Sequence, residues 1–125
     1  MSRVAAVLSC LPILAACDAP TPGFRGADVS RHTVDGSTFA VYVKGETAQA
    51  VRTNRQFAPR IGPLAGQAAV AMQAASGCRV TRLGGDAAVL VGSLSCGGRP
   101  RAPCDVDAVL QGPRGFRAPV LRACP

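Results

Sequence analysis

The stretch CRVTRLGGDAAVLVGSLSC, residues 78–96, contains the clearest structural signal of the chain. Two segments rich in β-branched and apolar residues flank Gly84-Gly85-Asp86. Glycine is the residue that a tight chain reversal needs, so the chain is expected to reverse between Gly85 and Val89. The stretch therefore predicts a β-hairpin with a cysteine at each end.

The register of this hairpin follows from its two terminal cysteines. If they lie opposite each other, Val80 faces Leu94 and Arg82 faces Gly92. Side chains of directly opposed strand residues are about 4.5–5.5 Å apart at Cβ, which a modest adjustment brings within disulfide distance. The hairpin is thus predicted to be closed by a disulfide bond.

Upstream of the hairpin the chain has the pattern of three further strands. Residues 29–34 and 37–43 flank Asp35-Gly36, which is a strong hairpin turn signal. In the second of these segments Phe39, Val41 and Val43 alternate and are predicted to lie in the core. Residues 47–53 are predicted to form a third strand with one mildly apolar face.

A helix is predicted between the third strand and the hairpin. Pro63 suits a first helical turn, and Gly77 suits the position just after a helix end. At helical spacing one apolar stripe contains Leu64, Ala68, Ala71, Met72 and Ala75. The expected fold class is α+β: a small antiparallel sheet in the order β-β-β-α-β-β, with one helix packed across it.

Residues 97–125 have a different composition, with five arginines, five prolines and four glycines. We expect a loop-rich C-terminal extension of a single domain that spans residues 29–125. A short helical turn is predicted at residues 105–111, with extended loop around it.

The N-terminus has the pattern of a secretory signal peptide. Met1-Ser2-Arg3 is positively charged, and Val4–Leu14 is an uncharged run of 11 residues. Because a membrane-spanning helix needs roughly 20 apolar residues, this run is too short for a permanent span. The pattern predicts export from the cytoplasm.

The end of this run, Leu14-Ala15-Ala16-Cys17, resembles the lipobox of bacterial lipoproteins. The resemblance implies that residues 1–16 are a signal peptide removed just before Cys17, whose thiol and amino group receive acyl chains such as palmitate. It implies anchoring in the bacterial cell envelope on the periplasmic side, and Asp18 favours the inner membrane. The alternative is an ordinary secretory cleavage region, with Cys17 free or disulfide-bonded. The composition of residues 17–28 is typical of a Pro/Gly-rich tether.

Export and lipidation leave four cysteines for the folded domain. An even number in a small exported domain predicts two disulfides, and we expect Cys78–Cys96 and, by elimination, Cys104–Cys124. Gaps of 17, 7 and 19 residues and a single histidine do not fit a zinc site. No metal and no cofactor are therefore expected.

Catalytic signatures are lacking in the sequence. The one histidine, His32, is interpreted as an exposed strand residue near a turn, and no acidic residues share a motif typical of acid–base catalysis. We therefore expect a protein that is not an enzyme.

The charge of the chain is carried mostly by arginine. Without residues 1–16, 13 basic and 7 acidic side chains remain, a net charge of +6. Anionic lipid, an acidic polymer or an acidic protein patch would each be attracted, whereas export removes nucleic acid as a partner. The alternative is a surface that is only solvated. The candidate anion-binding residues are Arg52, Arg55, Arg60, Arg99, Arg101, Arg114, Arg117 and Arg122.

The sequence leaves two hypotheses of function open. The first is a non-catalytic envelope lipoprotein, held in the membrane through Cys17, whose domain binds a protein or an anionic envelope component. The second is a periplasmic enzyme inhibitor or small enzyme that acts through the loops at residues 54–59 and 84–86. Polar groups that converge from several elements into a pocket would favour the second hypothesis.

Overall fold

The computed structural model describes residues 20–56, 60–98 and 102–125 of the chain. The helix and strands are β1 (Asp28–Val34), β2 (Ser37–Lys44), β3 (Thr47–Arg52), α1 (Ile61–Ser76), β4 (Arg79–Gly85), β5 (Val89–Ser95), β6 (Val106–Gln111) and β7 (Arg117–Arg122). The predicted α+β class and the β-β-β-α-β-β order up to β5 are confirmed.

All seven strands form one sheet in the order β1-β2-β3-β5-β4-β6-β7. Neighbouring strands are antiparallel except β4 and β6, which are parallel. The hairpin formed by β4 and β5 therefore lies in the middle of the sheet, between β3 and β6. The C-terminal strands are added on its far side.

The central hairpin has the predicted register only up to a β-bulge. Val80 lies opposite Leu94 as expected, but the register shifts by one residue after Val80, so Arg82 lies opposite Ser93 instead of Gly92. Such a bulge places two residues of one strand opposite one residue of its partner. The extra residue keeps both Val80 and the following leucine buried while Arg82 is exposed.

Helix α1 carries no charged residue over its 16 positions and contacts all seven strands. It ends at Gly77, which has a φ of 71° and donates its backbone N–H to Gln73 O at 2.9 Å. Its buried residues are Leu64, Ala65, Gly66, Ala68, Ala69, Ala71, Met72 and Gln73. A helix that is apolar around most of its circumference has to be enclosed by protein, and here the sheet encloses it.

An ion pair connects the two edges of the sheet. Arg122 at the end of β7 binds Asp35 in the turn between β1 and β2. Adjacent strands are rotated by roughly 20–25°, so six steps across the sheet accumulate about 120–150° of twist. The twist brings opposite ends of the two edge strands together around α1.

Residues 97–125 are not only loop. The helical turn predicted at residues 105–111 is wrong, because this segment forms β6, which pairs with β4 and β7. Val106, Ala108 and Leu110 alternate into the core with a period of two. Strand β7 adds Val120 to the same core.

Both predicted disulfides are present. Cys78 is bonded to Cys96 and Cys104 to Cys124, with Cα–Cα distances of 4.4 and 5.0 Å. The first closes the open end of the β4–β5 hairpin and the second closes the open end of the β6–β7 hairpin.

The expected tether at residues 17–28 is docked on the domain from Thr21 onward. The backbone N–H of Thr21 donates to Gln49 Oε1, and Gln49 Nε2 donates to the Thr21 hydroxyl, both at 3.1 Å. Phe24, in the short 3₁₀ turn Pro22–Phe24, is buried. Residues 20–27 therefore cover part of the sheet face opposite α1, since Gln49 points away from the helix-side core formed by Ala48 and Ala50.

Candidate functional site

One end of the sheet gathers most of the connections that the sequence singled out. Strands β1, β3, β4 and β6 run in the same direction, so the segments that follow them lie at the same end. We call this the loop end. Its described segments are residues 35–36, 53–56, 60, 86–88 and 112–116, so the described residues 54–56 and 84–86 of the two loops proposed for an inhibitor are at or beside it.

Arg52 has a structural role at the loop end. Its Nε donates to Ala87 O at 2.9 Å and its Nη1 donates to Asn54 O at 3.1 Å. The guanidinium therefore ties the β4–β5 turn to the segment after β3, which leaves less of it for an external anion. Arg55 and Arg60 are exposed, while residues 57–59 lie outside the described residues.

Asn54 orders the start of the same segment. Its Oδ1 accepts from the backbone N–H of Thr38 at 3.0 Å, and its Nδ2 donates to Gly36 O at 2.8 Å. The short polar side chain substitutes for strand pairing just after β3. Residues 54–56 are thus held against the β1–β2 turn rather than projecting from it.

The β4–β5 turn is compact. The Asp86 carboxylate accepts from the backbone N–H groups of Ala88 and Val89 at 2.8 and 2.9 Å, and these bonds hold the pKa of Asp86 below its usual value. Gly85 has a φ of 129°, and a Cβ there would lie 2.2 Å from Val89 O. The predicted turn glycine is therefore required by the backbone.

The C-terminal arginines are divided by the fold. Arg114, with a φ of 60°, and Arg117 are exposed at the β6–β7 connection, beside Phe116, which is 56% exposed. Arg122 is at the other end of β7 and is bound to Asp35. Arg99 and Arg101 lie outside the described residues. Of the candidate anion-binding residues, Arg55, Arg60, Arg114 and Arg117 are therefore exposed at the loop end.

Further arginines, which the sequence clusters did not include, lie on the sheet face opposite α1. We call this the outer face. Arg31 on β1 and Arg79 and Arg82 on β4 are exposed there, and Arg25 is exposed on the docked N-terminal segment. These arginines are far apart in the sequence. They share one surface only because β5 lies between β3 and β4 and joins them in one sheet. On β4, exposed arginines alternate with buried residues, and this alternation is the sequence signal that could have revealed the outer face.

A groove of about 410 Å³ lies along β6 and β7. It is lined by Asp105, Val106, Asp107, Leu121, Arg122 and Ala123. Two of its polar groups have internal partners, since Asp105 Oδ1 accepts from Cys124 N at 3.1 Å and Arg122 binds Asp35. The groove is lined by one hairpin and its flanks, and not by several elements.

His32 is a half-buried residue of edge strand β1, and its Nε2 lies 2.8 Å from Ser30 Oγ. Within residues 20–56, 60–98 and 102–125, no three His, Cys, Asp or Glu side chains are arranged to hold a metal ion. In the same described ranges no helix has the length and apolarity needed to cross a membrane.

Comparison of the chain with protein-family models, with curated proteins and with solved structures gives no match. Inference about function therefore rests on the residues of this chain and their geometry.

Proposed function

We propose that this protein is an exported bacterial lipoprotein, anchored in the envelope membrane through acylated Cys17, whose domain binds an acidic partner without catalysing a reaction. The lipobox-type segment Leu14-Ala15-Ala16-Cys17 supports the anchor. The exposed arginines of the loop end support the binding role.

The observation that carries the export half of the proposal is the pairing of the four downstream cysteines into two disulfides. Structural disulfides persist in oxidising compartments such as the bacterial periplasm and are rare in the cytosol. A signal peptide would export the chain to such a compartment, where both disulfides can form and persist. Since each of the four thiols has a partner, Cys17 is left available for acylation.

The observation that carries the binding half is the exposure of Arg55, Arg60, Arg114 and Arg117 in or beside the segments that follow β3 and β6. Helix α1 begins there, with Arg60 as its N-cap residue and no acidic residue in its first turn, so the positive end of its dipole is not compensated locally. Guanidinium groups bind carboxylates and phosphates in bidentate geometry. An acidic protein patch or an anionic envelope polymer is the expected partner.

The anchor is tested by the intact mass of the membrane-extracted protein under non-reducing conditions, with the Cys17→Ala variant as the control. We expect a chain that begins at Cys17, carries two or three acyl chains and has no alkylatable thiol. The control is expected to lack the lipid. An uncut chain with free thiols would overturn the proposal of export.

The binding surface is tested by retention on immobilised polyglutamate. Neutralising the loop end with Arg55→Gln, Arg60→Gln, Arg114→Gln and Arg117→Gln is expected to lower the salt concentration at elution, because charge-based binding weakens with each lost contact. A matched variant loses four other arginines, with Arg25→Gln, Arg31→Gln, Arg79→Gln and Arg82→Gln. Equal retention of the two variants would show that net charge alone, and not this surface, is responsible.

A further inference from the structure

The docked N-terminal segment determines how a lipid at Cys17 would orient the domain. Pro20 is three residues after Cys17, and an extended residue spans at most about 3.3–3.6 Å, so the two Cα atoms are within about 11 Å of each other. From Thr21 the chain is bound to Gln49 on the outer face. The lipid attachment point is therefore tied closely to the outer face, with no long linker between them.

Exposed basic and apolar side chains surround this docked segment. One row of paired residues crosses the outer face, in the order Val29, Tyr42, Gln49 and Val91. Because the docked segment is bound to Gln49, the two valines flank it in this row. Val29 is 57% and Val91 39% exposed.

Arginines occupy the neighbouring rows of the same face. Arg31 lies opposite Ala40 on one side of the segment, and Arg82 lies opposite Ser93 on the other. Arg79 follows one row further along β4, and Arg25 is on the segment itself. Neighbouring strands are about 4.8 Å apart, so Arg31 on β1 and Arg82 on β4 are separated by about 19 Å across the sheet.

The balance of charge on this part of the outer face is positive. Lys44 has Glu46 beside it in the β2–β3 turn, and Asp107 is exposed on β6. The opposite side of the domain differs, because α1 has no charged residue. Among the described residues, the other exposed arginines are at the loop end.

We propose that the outer face of β1, β2, β3, β5 and β4 lies on the headgroups of an anionic membrane, with Arg25, Arg31, Arg79 and Arg82 as its lipid contacts. This inference rests on the proposed acylation of Cys17. The domain then lies flat beside its anchor with α1 directed away from the bilayer, and the loop end stays accessible to a partner. Charges within about 8 Å of the headgroups are only partly screened at physiological ionic strength, and the short connection lets the face come into that range.

The orientation is tested with single tryptophans, since the natural chain has none. Val29→Trp reports on the outer face, and Ile61→Trp, at a position 36% exposed at the start of α1, is the matched control on the helix side. Each full-length lipidated variant is reconstituted into vesicles of phosphatidylcholine with a minor fraction of phosphatidylglycerol. A nitroxide on the phosphatidylcholine headgroup then quenches nearby tryptophan fluorescence.

We expect stronger quenching of the tryptophan at position 29 than of the one at position 61, with the difference reduced by high salt. Arg79→Gln with Arg82→Gln is expected to lower the ratio of membrane-apposed to free orientations about five-fold for each arginine. Arg55→Gln with Arg60→Gln, which removes the same charge from the loop end, should leave the ratio unchanged.

The outcomes separate the two proposals. If intact mass shows the lipid at Cys17 but both tryptophans are quenched equally, the anchor stands and the orientation is overturned. If the mass shows no lipid, the proposed function fails first and the orientation with it. If the tryptophan at position 29 is quenched equally in vesicles of pure phosphatidylcholine, the proposed role of the arginines is overturned.

Discussion

Asp86 shows how much one side chain contributes to the shape of the loop end. It follows Gly85, whose positive φ turns the chain, and its carboxylate bonds two backbone N–H groups of the residues that complete the turn. Asp is favoured in turns because its short side chain can accept such bonds. The turn is therefore held by local interactions, to which Arg52 on β3 adds hydrogen bonds to Ala87 O and Ala88 O.

These interactions predict a pH dependence. Because the pKa of Asp86 is lowered in the folded state, the stabilising contribution of its charge is fully present above about pH 4 and is lost as the pH falls through the folded-state pKa. Asp86→Asn keeps an acceptor oxygen but has no charge to lose, whereas Asp86→Ala has neither.

At pH 7 we expect Asp86→Ala to lower the free energy of unfolding by about 1 kcal/mol, and Asp86→Asn by less. Wild type and Asp86→Asn should converge in acid. Urea unfolding followed by circular dichroism at pH 7 and in acid measures both effects. If the difference in free energy of unfolding between wild type and Asp86→Asn does not change with pH, the assignment of the pH dependence to Asp86 is contradicted.

At the level of helices and strands, Gln73 joins three elements. This side chain, 5% exposed, donates to Pro103 O and Asp105 O at 2.8 and 2.7 Å and accepts from Val80 N at 3.1 Å. It connects α1 to the start of β4 and to the segment that leads into β6. A buried amide with three backbone partners is satisfied here because all three segments meet at the end of the helix.

Gln73→Leu is expected to lower the free energy of unfolding by about 3 kcal/mol, since it leaves buried backbone groups without partners. Gln67→Leu is the matched control on the same helix. Its side chain accepts from Ser37 Oγ, which also accepts from Gln56 Nε2, so a loss of about 1 kcal/mol is expected there. Chemical denaturation of both variants measures the two losses in free energy of unfolding. Equal losses would show that the three bonds of Gln73 contribute no more stability than the contact of Gln67.

For the whole molecule, the curvature of the sheet around α1 is the dominant feature. The Arg122–Asp35 pair joins the two edges, yet Asp35 is 60% and Arg122 27% exposed. An exposed pair contributes little in water, so apolar burial of the uncharged helix, and not this pair, is expected to hold the sheet in its curved form.

A double-mutant cycle of Asp35→Asn and Arg122→Gln tests this expectation. We expect a coupling energy below about 1 kcal/mol that decreases further in high salt. A coupling of several kcal/mol that is insensitive to salt would show that the edge contact is a main support of the fold.

The features that could be predicted from the chain are those encoded over short distances. The turn at Gly84-Gly85-Asp86, the helix, and the core positions of Phe39 and Val41 are confirmed, while Val43 is half-buried against the same core. Both disulfides are confirmed, the first predicted from the spacing of its cysteines and the second by elimination. The turn, the helix and these core positions depend on backbone preferences or on a periodicity of two or 3.6 residues. The order of elements up to β5 follows from the same signals.

Contacts between distant residues required the tertiary structure. The short, mostly apolar segment at residues 106–110 is compatible with a helical turn by itself, and its strand pairing is supplied by β4 and β7. The bulge after Val80 shifts Arg82 by one residue, and the outer face exists because β5 inserts between β3 and β4. Local sequence specifies which segments are strands, whereas the neighbours of each strand depend on burial of the whole core, and the candidate surfaces are made of those neighbours.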